Sequence, residues 1–367
     1  MDSHLVNFIS LMTVAPVTVF VHRMRLAWWA MNVTASTDRL YPHQIPYDTG
    51  MLHMGDGHKM YYEQCGKPEG LPIVFLHGGP GSGCSARHRQ LFDLTSYRVI
   101  FFDQRGCGRS LPRGSVQANT SDHLVADIES LRRHLGIDRW LVVGGSWGAG
   151  LALAYAAAHS SVCLGLVLRG VFLGRIADLD WFFQQARQLL PDAWAAFALH
   201  APQDKRADML RWLYNELHHG HPTQALTAAC AWETWETALI QRNSAVPKSA
   251  LPTGPEAQTL LDKYRVQSHY LINACFWGDT SLLERARTLT AVPTAIVHGR
   301  LDWCCLPQSA WDLHMHLPTS RMQWLDDCGH SSFEPALAQA NADAIAHYAS
   351  HGHFATWGDD FSKVDKT

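Results

Sequence analysis

Between residues 72 and 325 the chain repeatedly strings apolar residues together and then breaks into glycine, aspartate or histidine. Pro72-Ile73-Val74-Phe75-Leu76 stops at His77-Gly78-Gly79-Pro80-Gly81-Ser82-Gly83. Arg98-Val99-Ile100-Phe101-Phe102 stops at Asp103-Gln104-Arg105-Gly106, and Trp140-Leu141-Val142-Val143 at Gly144-Gly145-Ser146-Trp147-Gly148. Leu164–Leu168, Thr294–Val297 and Arg321–Leu325 repeat the pattern. A short continuous apolar run is what a strand buried on both faces needs; a half-exposed strand would alternate instead. Between these runs lie helical spacings: Leu124, Ile128, Leu131 and Leu135 within His123–Leu135, the alanine-rich stretch Ala149–Ala158, and Pro335–Ala346. Strand and helix in alternation predict an α/β protein, a mostly parallel sheet with helices on both faces. Lys59–Glu63 reads as one further strand.

The alternation is interrupted once. From 174 to 289 no buried strand run occurs, and the pattern is helical and aromatic-rich, with Trp181, Phe182, Phe183, Trp194, Phe197, Trp212, Tyr214, Trp232 and Trp235. This predicts an inserted α-helical cap, most of its rings forming its own core and a minority facing a pocket. The expected organisation is an amino-terminal extension over 1–40, a first part of the core over 41–173, the cap over 174–289, and the rest of the core over 290–367. The polar tail from Gly352 to Thr367 is expected to fray.

Composition excludes several function classes. With 47% hydrophobic and 17% charged residues in 367, the chain can bury a large core and is neither disordered nor fibrous. Thirty basic residues against 33 acidic ones leave no basic footprint for nucleic acid. Nine cysteines without a C-x-x-C pair read as reduced thiols of a cytoplasmic protein. The apolar stretch Leu5–Val21 lacks the basic start of a secretory leader and is broken by Pro16. It is read as lying upstream of a sufficient start at Met31, with a membrane anchor as the alternative.

The chemistry gathers where strands end. Gly144-Gly145-Ser146-Trp147-Gly148 is a G-x-S-x-G string between a buried strand and a helix, the setting in which a serine is thrust out of the sheet edge as a nucleophile. A hydroxyl needs a base, and the base needs an orienting carboxylate. Asp302 and His330 follow the last two strands, completing the chain order Ser146, Asp302, His330. The loop His77–Gly81 is placed to give one oxyanion donor, the Gly79 N–H, with the Trp147 N–H as the other. It is not a phosphate loop, because no Gly-Lys-Ser/Thr follows. His218-His219-Gly220-His221 lacks acidic or thiol partners at ligand spacing and is not read as a metal site. No cofactor is expected.

Taken together, His77–Gly81, Asp103-Gln104-Arg105-Gly106-Cys107-Gly108-Arg109-Ser110 and Gly144–Gly148 resemble the proline iminopeptidases, α/β-hydrolases with a helical cap. Leu168–Phe172, Ala231-Trp232-Glu233-Thr234-Trp235-Glu236, His298-Gly299-Arg300 and Gly329–Pro335 extend the likeness from about Tyr41 to about Ala346. The resemblance implies a serine exopeptidase that releases an amino-terminal proline from a peptide, with Ser146, Asp302 and His330 as its triad. Arg169 and Phe172 match pocket positions of the family, and Glu236 matches a carboxylate that receives the prolyl amine. The family's second carboxylate lies in a segment like Arg-Ile-Glu-x-His-Tyr; here it reads Arg265-Val266-Gln267-Ser268-His269-Tyr270, so Gln267 replaces it. That loss of charge leaves an amidase or esterase acting on a small neutral acyl group as an alternative. A non-catalytic binding module is disfavoured by the intact triad.

Overall fold

A computed structural model describes residues 40–243 and 251–359. The apolar segment 5–21 and Met31 lie outside the described residues. Eight strands make one sheet: β1 (Asp48–Gly55), β2 (His58–Gly66), β3 (Leu71–Leu76), β4 (Tyr97–Phe102), β5 (Trp140–Gly145), β6 (Cys163–Arg169), β7 (Thr294–Gly299) and β8 (Ser320–Leu325). Their order across the sheet is β1-β2-β4-β3-β5-β6-β7-β8. The first two pairings, β1 with β2 and β2 with β4, are antiparallel and the remaining five are parallel.

The apolar runs are continuous because both faces are covered. On one side Val74, Leu76, Ile100, Phe102, Val142 and Ile296 pack into a core with α1 (Ser121–His134) and α2 (Trp147–Ala158). On the other, Ile73, Phe75, Val99, Phe101, Val143 and Val297 pack with the last helix. Helix α1 starts where Thr120 Oγ1 accepts the His123 N–H, and its Leu124, Ile128 and Leu131 are all buried, as their spacing requires.

Between β6 and β7 the chain is helical: α3 (Ile176–Phe183), α4 (Pro191–Ala198), α5 (Met209–His219), α6 (Pro222–Gln241), α7 (Gly254–Ile272) and α8 (Leu282–Arg287). Beyond β7 come α9 (Pro307–His316) and, after β8, α10 (Pro335–His351).

Three features depart from the sequence expectations. Strand β1 has no apolar run; it is half-buried, alternating Gly50, Leu52 and Met54 inward with exposed residues. Helix α9, opened by Pro307, was hidden by mixed composition, yet it buries Ala310 and Leu313. The tail is not frayed over its first part. Phe354 and Trp357 are buried in the α10-side core, and the Asp359 N–H donates to Met322 O at 2.7 Å. Two aromatic rings outweigh the polar residues around them. Residues 360–367 lie outside the described residues.

Candidate active site

Strands β3 to β8 run parallel, so their carboxyl ends share one rim, and the strand order reverses between β3 and β5, the place where open α/β sheets hold their ligands. At the end of β5 the chain turns sharply. Ser146 sits at φ 58° and ψ −125°, a strained conformation for a residue with a side chain. Its N–H donates to Arg169 O at 2.9 Å. The flanking glycines are forced by close approach: a Cβ at Gly144 would lie 2.2 Å from Gly148 O, and one at Gly148 would lie 2.1 Å from Leu76 O. The G-x-S-x-G string is thus a packing requirement that also lifts the hydroxyl off the sheet.

His330 follows β8, and its Nδ1 pairs with Asp302 Oδ2 at 2.7 Å. Asp302 follows β7 and is buried. Its other oxygen accepts the Cys304 and Cys305 N–H groups at 2.9 and 2.8 Å. Burial alone would raise the Asp302 pKa, but the His330 charge and these hydrogen bonds hold it below the usual carboxylate value. Gly170, at φ +53°, makes room for the pair: a Cβ there would lie 3.2 Å from Asp302 Oδ2 and 3.3 Å from the His330 ring.

A second histidine supports this arrangement. His298 is fully buried, and burial pushes its pKa down, so it is neutral. The Val171 N–H donates to its Nδ1 at 3.3 Å, leaving Nε2–H to donate to Cys305 O at 3.0 Å. His298 therefore holds the turn whose N–H groups serve Asp302.

The loop after β3 runs beside the elbow: a Cβ at Gly78 would lie 3.4 Å from Ser146 Cβ. Gln104, from the loop after β4, ties the two together. Its Nε2 donates to His77 O at 3.0 Å, and its Oε1 accepts the Trp147 indole N–H at 2.9 Å. Its backbone N–H donates to His77 Nε2 at 3.0 Å. The Trp147 indole is buried against Trp277, stacked at 5.1 Å.

Ser146 and His330 open into a cavity of about 270 Å³, a volume suited to one small acyl group. Gly79, Arg169, Phe172, Glu236 and Gln267 also line it, so the cavity brings together every site residue expected from the sequence except Asp302 and Trp147, which stand behind it. Phe182 and Phe183 supply apolar wall from the helical segment, while Trp232 and Trp235 are buried in that segment's core. The Arg169 guanidinium donates to His330 O. Ser146 Oγ has Cys305 Sγ at 3.9 Å, and burial pushes the Cys305 thiol pKa well up.

Glu236, on α6, lines the cavity and meets α7. Its Oε2 accepts from Lys263 Nζ at 2.9 Å and from the Tyr264 hydroxyl at 2.8 Å; its Oε1 faces Gln267 Nε2 at 3.5 Å. Burial would raise its pKa, but the Lys263 ammonium and these hydrogen bonds hold it below the usual carboxylate value. Sequence reading missed Lys263, Tyr264, His298, Gln104 and Cys305 as site residues. Lys263 and Gln267 stand four apart on one helix, which is the one signal that could have linked them.

The histidine cluster lies elsewhere. His218, in the last turn of α5, is stacked on Tyr214 with ring centroids 4.3 Å apart and bonded to Ser268 Oγ at 3.0 Å, while His221 caps α6. Among the described residues, Asp302, Cys304 and His330 bring three ligand-type atoms within 4.8 Å of one another, and Asp302 and His330 are hydrogen-bonded to each other. No described helix is long and apolar enough to cross a membrane.

The alpha/beta hydrolase fold family matches residues 72–337. A proline iminopeptidase of Xanthomonas citri is 44% identical over 308 residues, spanning 83% of this chain and 96% of that protein. One from Arabidopsis thaliana is 41% identical over 304 residues, spanning 82% and 79%. Among solved structures, a proline iminopeptidase of Mycobacterium smegmatis has a TM-score of 0.51 at 19% identity, covering 83% of this chain and 98% of that one. An esterase from Rhodococcus has a TM-score of 0.55 at 20% identity, with the same two coverages. The last two are similar in fold alone. The fold matches over most of the chain, and the sequence matches over nearly the whole length of its bacterial relative: this chain belongs to the proline iminopeptidase family of α/β-hydrolases.

Proposed function

We infer that the protein is a serine exopeptidase that releases proline from the amino terminus of peptides. In this reading Ser146 attacks the prolyl carbonyl, and His330 takes its proton while Asp302 holds the imidazole in the right tautomer. The Gly79 and Trp147 N–H groups receive the oxyanion. His330 returns the proton to the departing amine, and water then releases proline from the prolyl-enzyme through the same base. The helical segment acts as a cap that closes the cavity to all but a small acyl group and presents Glu236 to the prolyl amine. Arg169 and Phe172 shape the wall nearest the elbow. The observation that carries this reading is the 2.7 Å Asp302–His330 pair opening into one small cavity with the strained Ser146.

The free thiols of all nine cysteines fit a reducing compartment, which supports a cytoplasmic setting. Steady-state hydrolysis of a panel of aminoacyl 4-nitroanilides tests the function. The expected result is a kcat/KM for the prolyl compound well above those for the alanyl and leucyl ones. A flat profile favours an amidase or esterase on a small neutral acyl group, the reading that the Lys263 ammonium on Glu236 would suit.

A further inference from the structure

The carboxylate expected to receive a substrate amine already holds a cation. Lys263 Nζ lies 2.9 Å from Glu236 Oε2, and both side chains are mostly buried, with 23% and 18% exposure. A pair shielded in this way is screened less by water than a surface pair. The Tyr264 hydroxyl occupies the same carboxylate oxygen. Gln267, where a second carboxylate would add charge, is neutral. Its Nε2 faces Glu236 while its Oε1 is buried without a hydrogen-bond partner. Glu236, Lys263 and Gln267 line one cavity with Ser146. Around Glu236 the cavity therefore has a compensated charge and one ammonium donor, with no second carboxylate beside them.

We propose that Lys263 sets the charge selectivity of this subsite, so that the cavity takes an uncharged acyl group of proline's size alongside the protonated prolyl group. The 5-oxoprolyl ring is the chemical class that fits. It has the same five-membered ring, it carries no ammonium to compete for Glu236, and its lactam carbonyl can accept from Lys263 Nζ. A protonated prolyl amine, by contrast, meets the Lys263 ammonium as a like charge and must share Glu236 with it. The inference rests on the acyl-transfer reading above, and the covalent steps are those already given for Ser146 and His330.

The test compares prolyl and 5-oxoprolyl 4-nitroanilides in the wild type, Lys263→Met and Glu236→Gln. Methionine keeps most of the lysine stem and removes its charge, taking the pair from neutral to negative; Glu236→Gln takes it to positive. The wild-type ratio of kcat/KM, prolyl over 5-oxoprolyl, is expected within about tenfold of unity; Lys263→Met should raise it about tenfold and Glu236→Gln lower it about tenfold, as expected for one charge-assisted hydrogen bond. A wild-type ratio above about a hundredfold, or a rise below about threefold in Lys263→Met, or a fall, overturns the proposal. The same ratio is read without turnover by titrating prolinamide and 5-oxoprolinamide into the Ser146→Ala protein, with and without Lys263→Met. If neither anilide is hydrolysed, the exopeptidase reading fails, while the binding ratio still decides the role of Lys263. Circular dichroism of each variant confirms that a shifted ratio comes from a folded protein.

Discussion

Ser146 is the proposed nucleophile, and its strained backbone is set by contacts that do not involve its hydroxyl. Ser146→Ala should therefore leave the thermal midpoint within a few degrees of wild type and cut kcat by about 10⁴-fold or more, the scale on which triad members act. Residual activity within tenfold of wild type would show that another group is the nucleophile. Gln267 is a different case, because its environment rather than its own chemistry defines it. It is buried, with one oxygen unpaired and its amide turned to Glu236. Gln267→Glu adds a second carboxylate facing the first and should raise kcat/KM on prolyl substrates relative to amine-free esters. The gain should shrink as pH falls, since two neighbouring carboxylates share a proton and one becomes neutral before the other. An unchanged substrate ratio between pH 6 and 8 would show that position 267 does not read the amine.

At the scale of elements, the site is an assembly of loop ends that must be held in register. Gln104 does this for the two proposed oxyanion donors, tying His77 O to the Trp147 indole across the loops after β3 and β5. Removing it deprives a buried carbonyl and a buried indole N–H of their Gln104 partner, and is expected to loosen the two loops that carry the proposed donors. Gln104→Ala should lower kcat by roughly 10²-fold, the cost of a misplacement near 1 Å, with a much smaller change in KM. Equal losses in kcat and in binding of prolinamide would point to a collapsed cavity instead. The motif Asp103–Ser110 resembled the family as a string, but its purpose became visible only here. Its glutamine spans two loops, and its aspartate accepts the Cys84 and Arg109 N–H groups at 2.6 and 2.8 Å.

Across the whole molecule, stability depends on packing both sheet faces, and one carboxylate links the helices on one of them. Glu129 of α1 bonds Arg132 and Arg133 and accepts the Tyr155 hydroxyl of α2 at 3.1 Å. The Arg132 hydrogen bond, with help from Arg133 and Tyr155, lowers its pKa from the usual 4.5 to about 2. A carboxylate depressed in the folded state contributes stability above its unfolded pKa and loses it as pH falls towards the folded one. Glu129→Gln should therefore destabilise the protein at neutral pH and flatten the decline of stability between pH 4.5 and 2, as measured by urea unfolding. A parallel decline in both proteins would remove Glu129 from the acid response. How much of this molecule was legible beforehand follows the range of the interactions. Six parallel-sheet strands, the elbow, the Asp302 and His330 positions and the helical insertion are written in local runs and spacings, because burial on both faces and a tight turn each demand a residue type at a fixed neighbouring position. Strand β1, helix α9 and the docking of Phe354 and Trp357 carry no comparable local signature; each is stabilised by surfaces far away in the chain. The same division holds in the cavity. The sequence by itself, through its resemblance to the family, determined only that a carboxylate at 236 and an amide at 267 are candidates for the amine. Only the tertiary structure decided that Lys263 reaches Glu236, because that ion pair joins two helices whose approach is set by packing and not by the order of residues.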